Sequence, residues 1–389
     1  MNADDRPTAD VVDELVAAAV AGGGGRPDVP FLATLELLVE SCRRTGRLNA
    51  TGREVLYRAA VRHLRTLVDL AAHVDAHPDV AGRSLGSPVV VTGLPRTATT
   101  LLHNLLALDP AFRVLRFWEA LRPVPPPPGR PPGEEPRQRA ARWLDSFYRL
   151  VPGFRAIHPS TPDGPEECDA LLQNTFASQH FDDMFDAREY SSWLATAPLA
   201  DEYASYALQL RVLSASTPPG TAWALKSPGH LGHLDALLAA LPGATVVWCH
   251  RDPAAAVASW ASLVHTLRRA YSDDVSPADV GRSALQRAAT AVHRAVAVRA
   301  QQAEAAFVDV AYRDLVADPV AAVAAVYDRL GRPLSPTVAA DMAAWVAANP
   351  AGGHGAHRYA LADFGLSAAD VEDAFGPYLE RGGELSSGP

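Results

Sequence analysis

The stretch SPVVVTGLPRTATTLLHNLLALDP, from Ser87 to Pro110, constrains the fold more than any other part of the chain. A short apolar run ends at Gly93 and passes almost at once into a leucine-rich amphipathic segment. That is a buried strand handing over to a helix through a tight turn. The first amides of such a helix are unpaired and point outward, where the helix dipole favours an anion. Thr97, Thr99 and Thr100 add hydroxyl donors, and Arg96 adds a planar fork suited to phosphate or sulfate oxygens. The nucleotide-hydrolysing pattern G-x-x-x-x-G-K-[ST] fits only in part, with Ala98 at the second glycine and Thr99 at the lysine position. Without that lysine, triphosphate cleavage lacks its main β/γ contact. A plain buried turn with capping threonines is the structural alternative.

Beyond Ser87 the same grammar repeats. TAWALK, ATVVWCH and AAFVDVAY read as short buried strands, each followed by a helical pattern (HLGHLDALLAAL, PAAAVASWASLVHTLRRA, PVAAVAAVYDRL). Apolar strands alternating with helices predict an α/β protein with a parallel sheet flanked by helices. Residues 9–85 read as helical, with Thr51 as an N-cap and a break at Gly22–Gly25. The expected organisation is therefore a helical extension over 1–86 packed on an α/β domain over 87–389. A helical insertion over about 122–218 would cover the open end of the sheet and shape a pocket. It begins with RPVPPPPGRPPGEEP, Arg122 to Pro136, an extended proline-rich loop.

The formal net charge of the 389 residues is −9, which disfavours a nucleic-acid partner. Any phosphate site must be a local concentration of cations and amides. Cys42, Cys168 and Cys249 are scattered, so neither a disulfide framework nor a metal site is expected, and the cytoplasm is the simplest home. The N-terminal residues are acidic before their apolar run and do not read as a signal peptide. No apolar segment approaches the ~18 residues of a membrane span. Oligomeric state is not legible, and a homodimer is left open.

A second element pairs with the loop. In LKSPGHLGHLDALLAALPGATVVWCHRDPAAAVAS, Lys226 closes one strand and Arg251 closes the next, just before a helix that carries Ser259. Strand ends and the helix starts that follow them are where open parallel sheets bind ligands. Singly, Arg251 reads as a partner of Asp252 and Ser259 as an ordinary helix residue; with the loop they read as a second anion site.

The ordered set PRTATTLLHNLLALDP, RFWEALRPVPPP, DGPEEC, LKSP, LPGATVVWCHRDPAAAVAS, AYRDLVADP and HRYALADFGL resembles bacterial sulfotransferases that use 3′-phosphoadenosine 5′-phosphosulfate (PAPS). More distantly it is similar to the tyrosylprotein and cytosolic sulfotransferases. The resemblance implies a P-loop-type fold and transfer of a sulfuryl group from PAPS to a hydroxyl of a small-molecule acceptor, releasing PAP. It implies that Arg96, Thr97, Ala98, Thr99 and Thr100 hold the 5′-phosphosulfate, and that Arg251 and Ser259 hold the 3′-phosphate. Arg358 is implied as a further 3′-phosphate contact, Tyr312 as a neighbour of the adenine, and Lys226 as the cation at the bridging oxygen.

Sulfuryl transfer is in-line displacement at sulfur, a task of positioning and charge stabilisation that Arg96, Lys226 and the loop amides suit. A base must remove the acceptor proton. Where cytosolic relatives have a histidine, this chain has Pro228. By similarity to the tyrosylprotein relatives Glu119 is the expected base, with His158, Glu167 and His230 as runners-up. Ala98 departs from the family's glycine; if that position requires a positive φ, alanine is strained there. The competing readings are a kinase- or NTPase-like enzyme and a non-catalytic PAP-binding protein.

Overall fold

The computed structural model describes residues 6–20, 31–126, 135–218, 220–350 and 359–386. The Gly22–Gly25 break, most of the proline-rich loop and Arg358 lie outside the described residues. The centre is a five-stranded sheet of β1 (Val89–Gly93), β2 (Phe112–Arg113), β3 (Ala222–Lys226), β4 (Thr245–His250) and β5 (Phe307–Ala311). Its order is β2-β3-β1-β4-β5 and every pairing is parallel. Four of these strands coincide with the apolar runs of the sequence. The two-residue β2 was not expected, being too short to carry a pattern.

Both faces of the sheet are covered, which explains why its longer strands are buried along almost their whole length rather than at alternate positions. Val90, Leu225 and Val246 point into one core, together with Leu15, Leu35 and Leu64 of the N-terminal helices and Phe176 and Tyr203 of the insertion. Val91, Ala224 and Val247 point into a second core with Leu102, Leu105 and Val326. The N-terminal helices therefore share a continuous core with the sheet and the insertion.

The extension folds as helices Thr8–Val20, Leu32–Thr45 and Ala50–Ala76. The last is capped by Asn49, whose side chain accepts from Gly52 N at 2.8 Å, and not by Thr51 as expected. The Asn49 amide donates to the Tyr271 carbonyl at 2.9 Å, at the end of helix Pro253–Tyr271.

A buried ionic cluster joins that helix to the insertion. Arg268, 2% exposed, reaches Asp186 at 2.5 Å and Asp182 at 3.3 Å, and Arg287 reaches Asp182 and Asp183 at 2.8 Å each. Removing one member strands opposite charges away from water, a loss larger than the net worth of the intact pair. Arg268→Leu is accordingly expected to lose about 3–5 kcal/mol of stability, measured by chemical denaturation. A change under about 1 kcal/mol would mean that water reaches the cluster and solvates its carboxylates.

Candidate active site

The turn after β1 is closed by contact. A Cβ on Gly93 would lie 2.4 Å from the Cys249 carbonyl oxygen of β4 and 2.8 Å from Thr97 Oγ1, so no larger residue fits. Arg96 and Ala98 both take left-handed backbone angles, with φ 71° and 63°. Buried Thr97 donates its hydroxyl to the Leu94 carbonyl at 2.8 Å, and Ala98 is the N-cap of helix Thr99–Leu106. The glycine position thus does require a positive φ, and alanine there carries about 1–2 kcal/mol of strain.

The strand order decides what surrounds the loop. β1 lies between β3 and β4, so Lys226, the last residue of β3, and Arg251, just past β4, flank the loop from opposite sides. Arg251 donates to the Arg96 carbonyl at 2.7 Å, and its guanidinium lies 4.2 Å from the centroid of the Tyr312 ring. Arg96 Nε donates to Ser259 Oγ at 3.2 Å. Arg251, Ser259 and the loop are therefore brought together, with Arg96 between them. Burial, and then the neighbouring charge of Arg251, hold the Arg96 guanidinium below its usual range. Neither arginine has a carboxylate partner among the described residues.

Lys226 is 1% exposed. Its Nζ donates to Glu167 Oε1 at 2.5 Å and stands 3.5 Å from Thr100 Oγ1. Backbone bonds carry the DGPEEC segment there. Phe117 N donates to Gly164 O (3.0 Å), Glu166 N to Leu115 O (2.7 Å) and Cys168 N to Lys226 O (2.8 Å). His158 Nε2 lies 3.8 Å from the same Glu167 oxygen. Burial alone would raise the Glu167 carboxyl, but Lys226 and His158 outweigh it and hold it well below the carboxylate range. Burial pushes its neighbour Glu166 upward.

One cavity of about 790 Å³ is lined at this end by Arg96, Ala98, Thr99, Thr100, His158, Glu167, Arg251 and Tyr312, while Thr97, Lys226 and Ser259 are buried behind that lining. The rest is largely apolar. Trp143 stacks on Phe147 with centroids 5.2 Å apart, Phe147 meets Phe154 edge to face at 5.0 Å, and Phe154 stacks on the His158 ring at 6.0 Å. Of the insertion's aromatics, Phe147, Tyr148, Phe154, Phe181 and Phe185 line it, whereas Phe176 and Tyr190 are 0% exposed in the core. The sequence reading missed a whole wall. Val55, Arg58, Ala59, Arg62 and His63 of helix Ala50–Ala76 also line the cavity. Their helical spacing was legible, but nothing in it distinguishes a cavity from a core.

Two expected bases are placed elsewhere. Glu119 does not line the cavity. One of its oxygens takes Arg113 Nη2 at 2.7 Å and the other accepts the Arg116 amide at 3.0 Å, closing a capping box. His230 is 0% exposed, shares 2.9 Å with Tyr203 OH, and burial lowers its pKa to about 3. The runners-up His158 and Glu167 are the ones brought to the loop. Among the described residues, no group of His, Cys, Asp and Glu is placed to hold a metal ion, and no helix is long and apolar enough to cross a membrane.

The arrangement sets two guanidiniums without carboxylate partners and the loop at one end of the cavity, with the buried Lys226–Glu167 pair beside them and an apolar chamber beyond. The profile of the sulfotransferase family matches residues 88–336 of the chain. The chain belongs to that family. Sulfotransferase STF1 from Mycobacterium tuberculosis H37Rv is 29% identical over 96% of this chain and 100% of its own, with a TM-score of 0.79. Sulfotransferase STF9 from Mycobacterium avium is 27% identical over 98% of each chain, with a TM-score of 0.83. No curated protein is significantly similar.

Within this sulfotransferase fold the strained alanine can be tested directly. Ala98→Gly removes the left-handed strain while adding back unfolded-chain entropy, for an expected net gain of about 0.5–1 kcal/mol. Thermal unfolding reads it. A lower melting temperature would show that Ala98 is not held at a positive φ in solution.

Proposed function

We propose that the protein transfers the sulfuryl group of PAPS to a hydroxyl of a small apolar or amphiphilic acceptor, with Glu167 as the proton acceptor. The observation that carries this reading is the pairing of two carboxylate-free guanidiniums and a buried ammonium around one loop. An acidic protein gathers such charge only for an anionic ligand. The loop residues fit a phosphosulfate and Arg251 a separate phosphate, while Tyr312, stacked on Arg251, offers a flat face for a base. Arg358, outside the described residues, is kept as a further phosphate contact. The three cysteines are buried and free, in keeping with a reducing cytoplasm.

In the reaction the acceptor oxygen bonds to sulfur as the bond from sulfur to the bridging oxygen breaks. Lys226, 3.5 Å from Thr100 in the loop, suits the charge that develops on the leaving phosphate. Glu167 takes the hydroxyl proton. It is ionised because Lys226 and His158 hold it so, which makes a weak but always available base. The apolar chamber excludes water, which would otherwise compete as acceptor. Trp143, Leu150 and Val316, each at least 37% exposed, line this cavity, and exposed apolar side chains gathered at one mouth suit an apolar ligand.

Calorimetry with PAP is the first test. Arg251→Ala is expected to lose about tenfold to a hundredfold in PAP affinity. Affinity equal to wild type would remove the phosphate assignment, and Mg-ATP binding without PAP binding would favour an NTPase-like enzyme. Glu167→Gln should bind PAP yet turn over about a hundredfold more slowly or worse; full activity would eliminate Glu167 as the base. The pH profile separates it from His158. A depressed carboxyl stays ionised until the pH falls below its folded value, so with PAPS saturating, acceptor kcat/KM should stay flat from pH 8 to about 5. An acid limb centred near neutrality would identify an imidazole instead.

A further inference from the structure

The donor end of the cavity accounts for Arg96 and Arg251. A third cavity-lining arginine has no such account. Arg62, on the wall contributed by helix Ala50–Ala76, has no carboxylate partner among the described residues, whereas Arg58 on the same wall pairs with Glu54. The cavity's own carboxylates are engaged elsewhere. Asp183 pairs with Arg287 at 2.8 Å, Asp169 accepts from Ser178 Oγ at 2.6 Å, and Glu167 holds Lys226. Glu166 accepts the Glu167 amide at 2.8 Å.

Arg62 is nevertheless oriented. Its Nη2 lies 3.1 Å from His63 Nε2; the other ring nitrogen lies 2.7 Å from Asn174 Oδ1, and Asn174 Nδ2 donates to Gln209 Oε1 at 2.8 Å. Burial holds His63 well below its ordinary range. The ring is therefore neutral, with Nδ1–H donating to Asn174 and Nε2 accepting from Arg62. Every group in this relay is uncharged. It aims the guanidinium without neutralising it, and burial with no counter-charge pushes the Arg62 pKa down to about 10. A cation held this way gains most from an anion that arrives with a ligand.

We propose that Arg62 anchors a carboxylate of the acceptor, so that the acceptor is a hydroxy acid with an apolar or aromatic body. This rests on the sulfuryl-transfer reading and names the substrate class for it. The hydroxyl goes to Glu167, the body lies along the wall that includes Trp143, Phe147 and Phe154, and the carboxylate meets the guanidinium. A bidentate pair of this kind also sets the register of the hydroxyl, since the acceptor is then held at both ends.

The probes are 3-(4-hydroxyphenyl)propionate and its methyl ester, titrated by calorimetry into the 389-residue chain saturated with PAP. Wild type should bind the acid at least about tenfold more tightly than the ester, the scale of a charged hydrogen bond. In Arg62→Gln that ratio should fall to about one, and in Arg62→Lys it should partly return. A separate PAP titration of each variant, made before saturation, reports that it is folded. Equal binding of acid and ester by wild type, binding of neither, or an undiminished preference in Arg62→Gln would overturn the assignment. Turnover separates the two readings. A preference for the acid with no sulfuryl transfer from PAPS to either probe would leave the Arg62 site standing and remove the reaction.

Discussion

The ion pair between Lys226 and Glu167 is the interaction on which the site depends. An ammonium as buried as Lys226 is tolerable only with a counter-charge at contact distance. The counter-charge comes from the insertion, far from β3 in sequence. Its attachment is double, because Cys168 N bonds the Lys226 carbonyl while Glu167 bonds the Lys226 ammonium. The pair thereby docks the insertion on the open end of the sheet, and it places a carboxylate, an imidazole and a cation beside the loop.

Charge on the protein is distributed against the trend of the whole. A chain of net charge −9 concentrates Arg96, Arg251 and Lys226 around one turn with a single carboxylate between them. Elsewhere buried arginines are matched, as Arg268 and Arg287 are by Asp182, Asp183 and Asp186. The contrast separates guanidiniums paired with carboxylates from those with no such partner among the described residues. Arg62 belongs with the second group, though it lies on a helix that reads as structural.

Much of this was legible before the coordinates. The four longer strands announce themselves by unbroken apolar runs, and the loop by its position between strand and helix. The surroundings of the candidate bases were not. Glu119 is paired with Arg113, whose guanidinium stacks on Trp223 at 4.2 Å. Glu167 was a runner-up in the sequence because the lysine that defines its surroundings lies 59 residues away. The sequence pointed to Thr51 as the cap of the long N-terminal helix, and in the fold Asn49 takes that place while its amide bonds the distant Tyr271 carbonyl.

The sequence by itself determined the α/β grammar and the strand-turn-helix that carries Arg96 and its threonines, because these depend on local periodicity and on spacing within a few residues. It also located the one anomaly, Ala98. Only the tertiary structure decided that β1 lies between β3 and β4. That order brings Lys226 and Arg251 to the two sides of Arg96, couples Glu167 to the sheet, and turns one face of the N-terminal helix into a cavity wall. Those outcomes depend on strand order and on the docking of distant segments, which follow from burying two faces of one sheet at once. No window along the chain contains that information.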